Sequence, residues 1–325
     1  PKMNEQKDYQ GEISVVASGE RIDVYLFNYF NLFSRTKIKN HIKNGNILVN
    51  ENIISPSYIL KQNDKIAFNL GAPYKKSTLE PENIKLEIIY EDDFLAIINK
   101  PSGLVVHPGS GISSGTLANA LLHKFNNLSK INEYAPGIVH RLDKETSGLM
   151  VIAKNDEIHA NLSKQFEERK VRKIYRAIVW GQIKNQGLIE GNIARNRKNR
   201  TIFSIQKQGR KSITGYKKLN YFDPLSYVEL YPKTGRTHQI RVHLNSISNP
   251  IICDTSYGGG EEKIKSFHVK HTKFLKKILK SMQRVALHAY SIEFIHPNTY
   301  EKNKFVAPIP KDFNYILEML ENNND

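Results

Sequence analysis

GIVHRLDKETSGLMVIA, residues 137–153, is the stretch on which the rest of the chain depends. It places Asp143 in a short polar segment between two cations and two glycines, followed by an apolar run at 149–153. The apolar run predicts a buried strand. Because aspartate is a favoured turn residue, Asp143 is either a turn former or a nucleophile that the turn presents. The rest of the sequence has to decide between these two interpretations.

The composition points to a polyanionic partner. The chain has 325 residues, enough for about two domains, and 48 Lys and Arg against 32 Asp and Glu give a formal net charge of +16. This charge favours nucleic acid over a membrane surface, although richness in Lys, Asn and Ile can also be compositional drift. The single cysteine, Cys253, excludes an intrachain disulfide framework and fits a reducing cytoplasm. No signal peptide and no apolar run of about 20 residues is visible, so we expect a soluble, cytoplasmic protein without membrane contact.

The N-terminal part predicts a small module. Residues 1–17 are expected to form a leader that ends in a short strand at 13–17. From Arg21, apolar residues recur at the spacing of one helix face, and Ser34 is placed to cap a second helix. That helix carries bases on its outer faces, and short strands are predicted at 47–50, 53–54 and 65–69.

This module, residues 18–72, resembles the S4 RNA-binding domain. The residues that carry the resemblance are Arg21-Ile22-Asp23, Ser34-Arg35, Lys39, Ile42, Gly45, Ile47-Leu48-Val49-Asn50 and Asp64-Lys65-Ile66. The resemblance implies RNA binding by the cations of the second helix, which are Arg35, Lys37, Lys39 and Lys43. Phosphate contacts from such a face would hold RNA without reading its sequence. The alternative is a cationic face that is merely solvated.

Residues 73–85 are polar and contain prolines, which predicts a linker. Residues 86–325 then form a second domain. Strands are predicted at 86–90, 94–99, 149–153, 173–180, 227–231 and 286–294, and helices after Thr116, from Asp156, over 271–283 and after Pro310. Helices that interrupt the strands irregularly predict an α+β fold: a mixed, mainly antiparallel sheet with flanking helices.

The residue types of the second domain restrict its chemistry. His268 and His271 lack companion carboxylates, and His238 and His243 flank arginines that would repel a metal cation. No GxSxG elbow is present, which argues against a serine hydrolase triad. What remains is Asp143 among arginines, a combination that suits an aspartate nucleophile kept ionised by a cation.

Six segments in sequence order make the interpretation specific. They are residues 99–101 (NKP), 140–154 (HRLDKETSGLMVIAK), 173–177 (KIYRA), 235–243 (GRTHQIRVH), 287–289 (LHA) and 307–310 (APIP). With these segments the chain resembles the RluA/RluD family of RNA pseudouridine synthases over about residues 86–320. The S4-like module in front makes it most similar to the RluD type, which modifies 23S ribosomal RNA.

The resemblance assigns roles to individual residues. Asp143 matches the nucleophile that attacks the target uridine, and Tyr175 matches the tyrosine that stacks on the base or removes the proton at C5. Arg241 matches the basic partner of the aspartate, with Arg236 as the competing candidate. Leu287 matches an apolar wall of the uracil pocket.

Further residues are expected to shape the substrate pocket. Arg141 resembles the residue that fills the gap left by a flipped base, unless it is simply an ion-pair partner of Asp143. His140, Arg236, His238 and Gln239 are expected to bind substrate or brace the pocket.

The resemblance also implies partners and no cofactor. Isomerisation at one nucleoside requires no metal, nucleotide or redox group. The expected partner of the monomeric enzyme is large-subunit ribosomal RNA or a pre-ribosomal particle, with the helix 69 stem-loop as target. Two other functions are weighed against this one. A non-catalytic RNA-binding or assembly factor is disfavoured because Asp143, Tyr175 and Arg241 are all present. A hydrolase or nuclease that uses Asp143 as a base would require a carboxylate cluster or a metal, and the sequence shows neither. The sequence does not identify the target uridines or decide whether Asp143 attacks the base or the sugar.

Overall fold

The computed structural model divides the chain between Thr78 and Leu79 into two units, and this boundary lies inside the predicted linker. The structure describes residues 10–16, 19–30, 33, 35–71, 79–109 and 111–323. Most of the predicted leader, the predicted cap Ser34 and residues 73–78 of the predicted linker lie outside the described residues. Each unit is considered by itself.

The first unit combines two helices with a small antiparallel sheet. Its elements are β1 (Gln10–Ser14), α1 (Ile22–Phe30), α2 (Arg35–Lys43), β2 (Ile47–Val49), β3 (Asn52–Ile53) and β4 (Lys65–Asn69). The strand order is β1-β4-β2-β3. The strand expected at 13–17 begins earlier and pairs along β4, with Ile13 opposite Ile66. Part of the predicted leader therefore belongs to this sheet.

The core of the first unit follows the helical spacing of its apolar residues. Ile22 and Leu26 of α1 and Ile38 and Ile42 of α2 are fully buried. Each such side chain contributes about 1.5–3 kcal/mol through burial. The opposite face of α2 is left to its charged residues.

The second unit is a mixed α+β domain. Its strands are β5 (Glu87–Glu91), β6 (Leu95–Lys100), β7 (Ser147–Ala153), β8 (Arg172–Trp180), β9 (Gln186–Arg195), β10 (Phe203–Ile205), β11 (Arg210–Phe222), β12 (Leu225–Pro232), β13 (Leu287–Ile295) and β14 (Lys302–Val306). Its α-helices are α3 (Leu117–Lys124), α4 (Asp156–Glu167), α5 (Gln239–Ser246), α6 (Thr272–Ser281) and α7 (Lys311–Glu321).

All these strands form one sheet in the order β10-β9-β11-β12-β8-β13-β7-β6-β5, with β14 also paired to β13. Within the described residues, the strand pairs of this sheet are antiparallel except for β7 with β13. The predicted α+β class and the mainly antiparallel sheet are confirmed. In the described part of the chain, no helix has the length and apolarity that a membrane span requires.

The predicted strand after Asp143 is buried along its whole length. All residues of β7 are buried. Met150 and Ile152 face the cluster that includes α3, whereas Leu149 and Val151 face the cluster that includes α4. Cover on both faces explains why this strand is a continuous apolar run rather than an alternating one.

Gly148 lets β13 approach β7. The register places Ala289 beside Gly148. Gly148 has a φ of +118°, and a Cβ at this position would come within 2.6 Å of the backbone nitrogen of Ala289. Glycine is therefore required here for conformation and for space. The close approach brings the start of β13 next to the segment that follows Asp143.

Candidate active site

Asp143 begins a tight turn that leads into β7. The backbone N–H of Thr146 donates to the carbonyl oxygen of Asp143 at 3.2 Å. The loop after β6 holds the turn from outside, because the N–H of Gly103 donates to the carbonyl oxygen of Lys144 at 2.9 Å. The predicted turn is present, and a separate segment of the chain fixes its backbone.

A buried cation reinforces this connection. Lys100 has no exposed surface. Its Nζ donates to the carbonyl oxygens of Pro101 at 2.9 Å, Leu104 at 2.9 Å and Lys144 at 3.1 Å. An ammonium group has three donors, and all three are used. Burial lowers the pKa of Lys100 to about 7, against the opposing effect of the nearby Asp143 charge.

Arg241 on α5 is the basic partner of Asp143. Its Nη1 donates to Oδ2 of Asp143 at 3.3 Å, and its Nε and Nη2 donate to the two carboxylate oxygens of Asp254 at 2.7 and 2.8 Å. Burial opposes the charged form of Arg241, but the hydrogen bonds and charges of Asp254 and Asp143 outweigh burial and raise its pKa. The guanidinium is therefore permanently charged and shared by two carboxylates.

Arg236, the competing candidate, makes no such contact. Its side chain lines the same cavity, and its Nε has no hydrogen-bond partner among the described residues. Of the two arginines, the structure brings Arg241 to Asp143.

His238 lies beside the other oxygen of the Asp143 carboxylate. Its Nε2 lies 3.9 Å from Oδ1 of Asp143, and its Nδ1 lies 2.8 Å from the hydroxyl of Tyr257. The same hydroxyl accepts the backbone N–H of Phe203 at 2.9 Å. Burial lowers the pKa of His238, and the positive charge of Arg241 acts in the same direction. The negative charge of Asp143 opposes these two effects, and the net shift favours the neutral imidazole.

One cavity of about 580 Å³ collects the predicted residues of the second domain. They line its wall together: His140, Arg141, Asp143, Tyr175, Arg236, His238, Gln239, Arg241 and Leu287. A cavity of this size fits a small molecule or one nucleoside. Burial and the charge of Asp143 raise the pKa of Tyr175, which keeps its phenol protonated.

Two of these residues are occupied by protein partners. His140 Nε2 accepts the backbone N–H of Val151 at 3.0 Å, and its ring stacks on Phe166 at 4.6 Å. Burial lowers the pKa of His140 to about 3. The amide of Gln239 accepts from Thr234 Oγ1 at 2.6 Å and donates to the carbonyl oxygen of Ile213 at 3.0 Å. Both side chains hold the wall in place through these bonds.

The described residues contain no group of three or more His, Cys, Asp or Glu side chains placed to hold a metal ion.

Comparison with known proteins identifies the family to which the chain belongs. The model of the RNA pseudouridylate synthase family matches residues 94–246, and the S4 domain model matches residues 20–66. A protein of Aquifex aeolicus, described as an uncharacterized RNA pseudouridine synthase, is 40% identical over 316 residues. That alignment covers 95% of this chain and 96% of the relative. The chain belongs to the RluA/RluD family of RNA pseudouridine synthases. It is therefore an isomerase with an N-terminal S4 domain.

Further relatives agree with this assignment. The ribosomal large subunit pseudouridine synthase D of Neisseria meningitidis serogroup B is 38% identical, over 93% of this chain and 79% of the relative. Among solved structures, human RNA pseudouridylate synthase domain containing 1 superposes with a TM-score of 0.54 at 25% identity. It covers 70% of this chain and 85% of the human one.

Three residues at or beside this cavity have no role in the predictions from the sequence. Asp254 and Tyr257 lie in the segment after α5 and contact Arg241 and His238. Lys173 shares a strand face with Tyr175, lines the cavity and lies 5.7 Å above the ring of Phe166. Within the described part of the chain, no carboxylate forms an ion pair with it. Burial lowers the pKa of Lys173. Its position two residues before Tyr175 in β8 was the available signal, because residues two apart in a strand face the same side.

The S4 domain gathers several cations around one buried acid. Asp23 accepts from Arg21 Nε at 3.0 Å and Arg35 Nε at 3.0 Å, and Lys39 Nζ lies 3.3 Å away. Burial would raise the pKa of Asp23, but these hydrogen bonds outweigh burial and lower it to about 2. Three cations around one carboxylate leave a positive surface.

The other two predicted RNA-binding residues lie outside this cluster. Lys37 Nζ lies 5.5 Å from the ring centre of Phe33. Lys43 is exposed at the end of α2. Arg35 and Lys39 are thus positioned by Asp23, whereas Lys43 extends from the end of the helix.

Proposed function

We propose that this pseudouridine synthase isomerises uridines of large-subunit (23S) ribosomal RNA, with Asp143 as the nucleophile and the helix 69 stem-loop as the target. The observation that carries the chemistry is the 3.3 Å contact between Arg241 Nη1 and Asp143 Oδ2 inside the cavity. At this distance the guanidinium donates a charge-assisted hydrogen bond that orients the carboxylate. An ionised aspartate at the wall of a nucleoside-sized cavity is suited to nucleophilic attack.

The reaction exchanges one glycosidic bond for another. Asp143 attacks the uridine and the bond between N1 and the ribose breaks. The uracil turns and joins the ribose through C5, and the bond to Asp143 breaks, which returns the carboxylate to its starting state. C5 then loses its proton and N1 gains one. The product has the same composition as the substrate, so no electrons or activated groups enter or leave.

Tyr175 acts as a stacking surface in this scheme. Its phenol is held protonated by burial and by the charge of Asp143. The raised pKa favours the protonated phenol, which offers an aromatic face and one hydrogen-bond donor. Leu287, which is buried in the same wall, supplies an apolar contact for the base.

Arg141 serves base flipping. It is exposed, lines the cavity and precedes Asp143 by two residues. Removing a base from a helical stack costs a few kcal/mol, and a side chain that fills the gap offsets part of this cost. Among the described residues no ion pair joins Arg141 to Asp143, which favours the flipping role over a simple salt bridge.

The choice of RNA rests on similarity. The relatives from Neisseria meningitidis, Zymomonas mobilis and Pasteurella multocida are each named ribosomal large subunit pseudouridine synthase D. The helix 69 target comes from the resemblance to the RluD type. The S4 domain would anchor this RNA through Arg35, Lys37, Lys39 and Lys43.

Incubation with unmodified 23S ribosomal RNA tests the proposal. Pseudouridine is mapped by carbodiimide-dependent stops of reverse transcription, on free RNA and on assembling large-subunit particles. Stops in helix 69 with the wild type and none with Asp143→Asn are expected. Stops only elsewhere in the RNA would refute the helix 69 target, and stops with Asp143→Asn would refute the nucleophile.

A further inference from the structure

We propose that Asp254 is a positioning residue for the isomerisation: it fixes the guanidinium of Arg241 so that one nitrogen faces Asp143 and one oxygen of Asp143 stays unbonded. The inference rests on the proposed function, since it takes Asp143 as the nucleophile. Neither the sequence motifs nor the names of the relatives assign a role to Asp254.

The guanidinium is oriented by two parallel hydrogen bonds. Nε and Nη2 of Arg241 donate to Oδ2 and Oδ1 of Asp254 at 2.7 and 2.8 Å. Paired bonds between a planar fork and a carboxylate fix direction as well as distance. Nη1 is the nitrogen left over, and it faces Asp143.

Asp254 is itself held rigidly. Its side chain is 1% exposed. Its backbone N–H donates to the carbonyl oxygen of Ile251 at 3.2 Å, and its carbonyl oxygen accepts the N–H groups of Tyr257 at 3.1 Å and Gly259 at 2.8 Å. Trp180 Nε1 ties the same turn to the core through the carbonyl oxygen of Gly259 at 2.9 Å. The orientation of Arg241 is therefore fixed relative to the core of the domain.

Tyr257 restricts the guanidinium from another direction. Its ring centre lies 4.8 Å from the guanidinium carbon of Arg241. A stacked aromatic ring attracts the cation and opposes rotation out of its plane. Arg241 is thus held by a carboxylate along one edge and by a ring.

This orientation of Arg241 leaves the two oxygens of Asp143 in different environments. Oδ2 accepts from Arg241, whereas Oδ1 accepts no hydrogen bond from any described residue and lies 3.9 Å from His238 Nε2. Without the negative charge of Asp254, the fork of Arg241 would be free to turn and engage both oxygens of Asp143. A carboxylate held at both oxygens is a weaker nucleophile because its lone pairs are used.

The test measures binding and chemistry separately for Asp254→Asn. A helix 69 stem-loop provides the substrate, with its Kd from equilibrium titration and its rate from single-turnover conversion. We expect the rate to fall about 100-fold with an unchanged Kd, since a misplaced reacting group costs about this factor. A rate equal to that of the wild type would overturn the inference.

Asp312→Asn is the matched control. Asp312 forms a similar two-bond pair with Arg284, at 2.6 and 2.9 Å, and neither residue lines the cavity. This substitution should lower thermal stability while leaving the single-turnover rate unchanged below the unfolding transition. Equal rate losses in Asp312→Asn and Asp254→Asn would mean that Asp254 acts only on stability.

A double-mutant cycle with Arg241→Met tests whether Asp254 acts through Arg241. If Asp254 acts through Arg241, adding Asp254→Asn to Arg241→Met changes the rate little, whereas independent effects multiply. Multiplying effects would overturn the inference. Asp143→Asn is measured alongside: activity in that variant would refute the proposed nucleophile, while its inactivity together with a wild-type rate for Asp254→Asn would refute only the role of Asp254.

Discussion

The buried ammonium of Lys100 donates to the carbonyl oxygen of Lys144 at 3.1 Å, one residue after Asp143. The end of β6 is thereby joined to the turn that carries Asp143, the proposed nucleophile. Two further carbonyl acceptors, those of Pro101 and Leu104, are satisfied by the same Nζ. The Lys100 side chain is thus hydrogen-bonded both to the loop after β6 and to the turn that contains Asp143.

Replacing Lys100 with methionine should loosen this connection. The side chain keeps its length, but the partly buried carbonyl oxygens of Pro101 and Leu104 lose their Nζ donor, and that of Lys144 keeps only the N–H of Gly103. Leaving such acceptors unsatisfied costs about 1–3 kcal/mol. We expect a loss of this size in the free energy of unfolding, followed in urea by the fluorescence of Trp180, and a slower single-turnover rate. Lys304→Met, at an exposed position of β14, is the control. Equal unfolding free energies for Lys100→Met and the wild type would contradict the assigned role.

Asp23 should make the S4 domain sensitive to acid. Its pKa is lowered from 3.8 to about 2, so the ionised form stabilises the fold fully above about pH 4. This stabilisation is lost as the pH falls towards 2, because the unfolded chain then binds the proton more readily than the folded one. Thermal unfolding by circular dichroism at pH 5, 4 and 3 should show a steeper decline for the wild type than for Asp23→Asn. Glu51→Gln, an exposed acid of the same unit, should behave as the wild type; parallel declines for Asp23→Asn and the wild type would exclude the role of Asp23.

The elements and the site differ in how far the sequence predicts them. The continuous apolar run at 149–153 is enough to predict β7, because a strand covered on both faces needs apolar residues at successive positions. The residues that line the cavity were predicted from the ordered motifs. Their separations along the sequence alone do not indicate which of them are in contact in the fold.

The strands β9 to β11 were missed for a physical reason. The inward residues of β11 include Ser212 and Thr214, both fully buried. Thr214 Oγ1 accepts from Gln239 Nε2 at 2.9 Å and lies 2.9 Å from His243 Nδ1. Polar residues that hydrogen-bond to α5 thus occupy inward positions where a strand usually has apolar residues. The apolar–polar alternation that would predict β11 is therefore lost among basic residues. Asp254 was missed because it pairs with Arg241, 13 residues away, through a turn without periodicity.

Lys173 should bind the anionic backbone of the substrate. Its ammonium lines the cavity, and none of the described carboxylates is paired with it. Lys173→Met keeps the stem of the side chain and removes the charge. We expect weaker RNA binding at low salt, and a plot of log K against log salt whose slope is reduced by about 0.7–0.9, the value for one phosphate contact. Lys304→Met should leave this slope unchanged, and an unchanged slope in Lys173→Met would rule out the contact.

Gly148→Ala should damage both stability and activity. The position has a φ of +118°, and the added Cβ would meet the backbone of Ala289 on β13. Strained backbone costs about 1–3 kcal/mol, and overpacking of a core contact costs a similar amount. Relief of the overlap requires β13 to move away from β7, which carries Leu287 away from the cavity that contains Asp143. Urea unfolding should therefore show a lower free energy, and the single-turnover rate should fall under conditions in which the variant is still folded. Gly109→Ala is the matched control, since a Cβ there has open space; an unfolding free energy for Gly148→Ala as high as that of Gly109→Ala would show that β7 and β13 do not need their close approach.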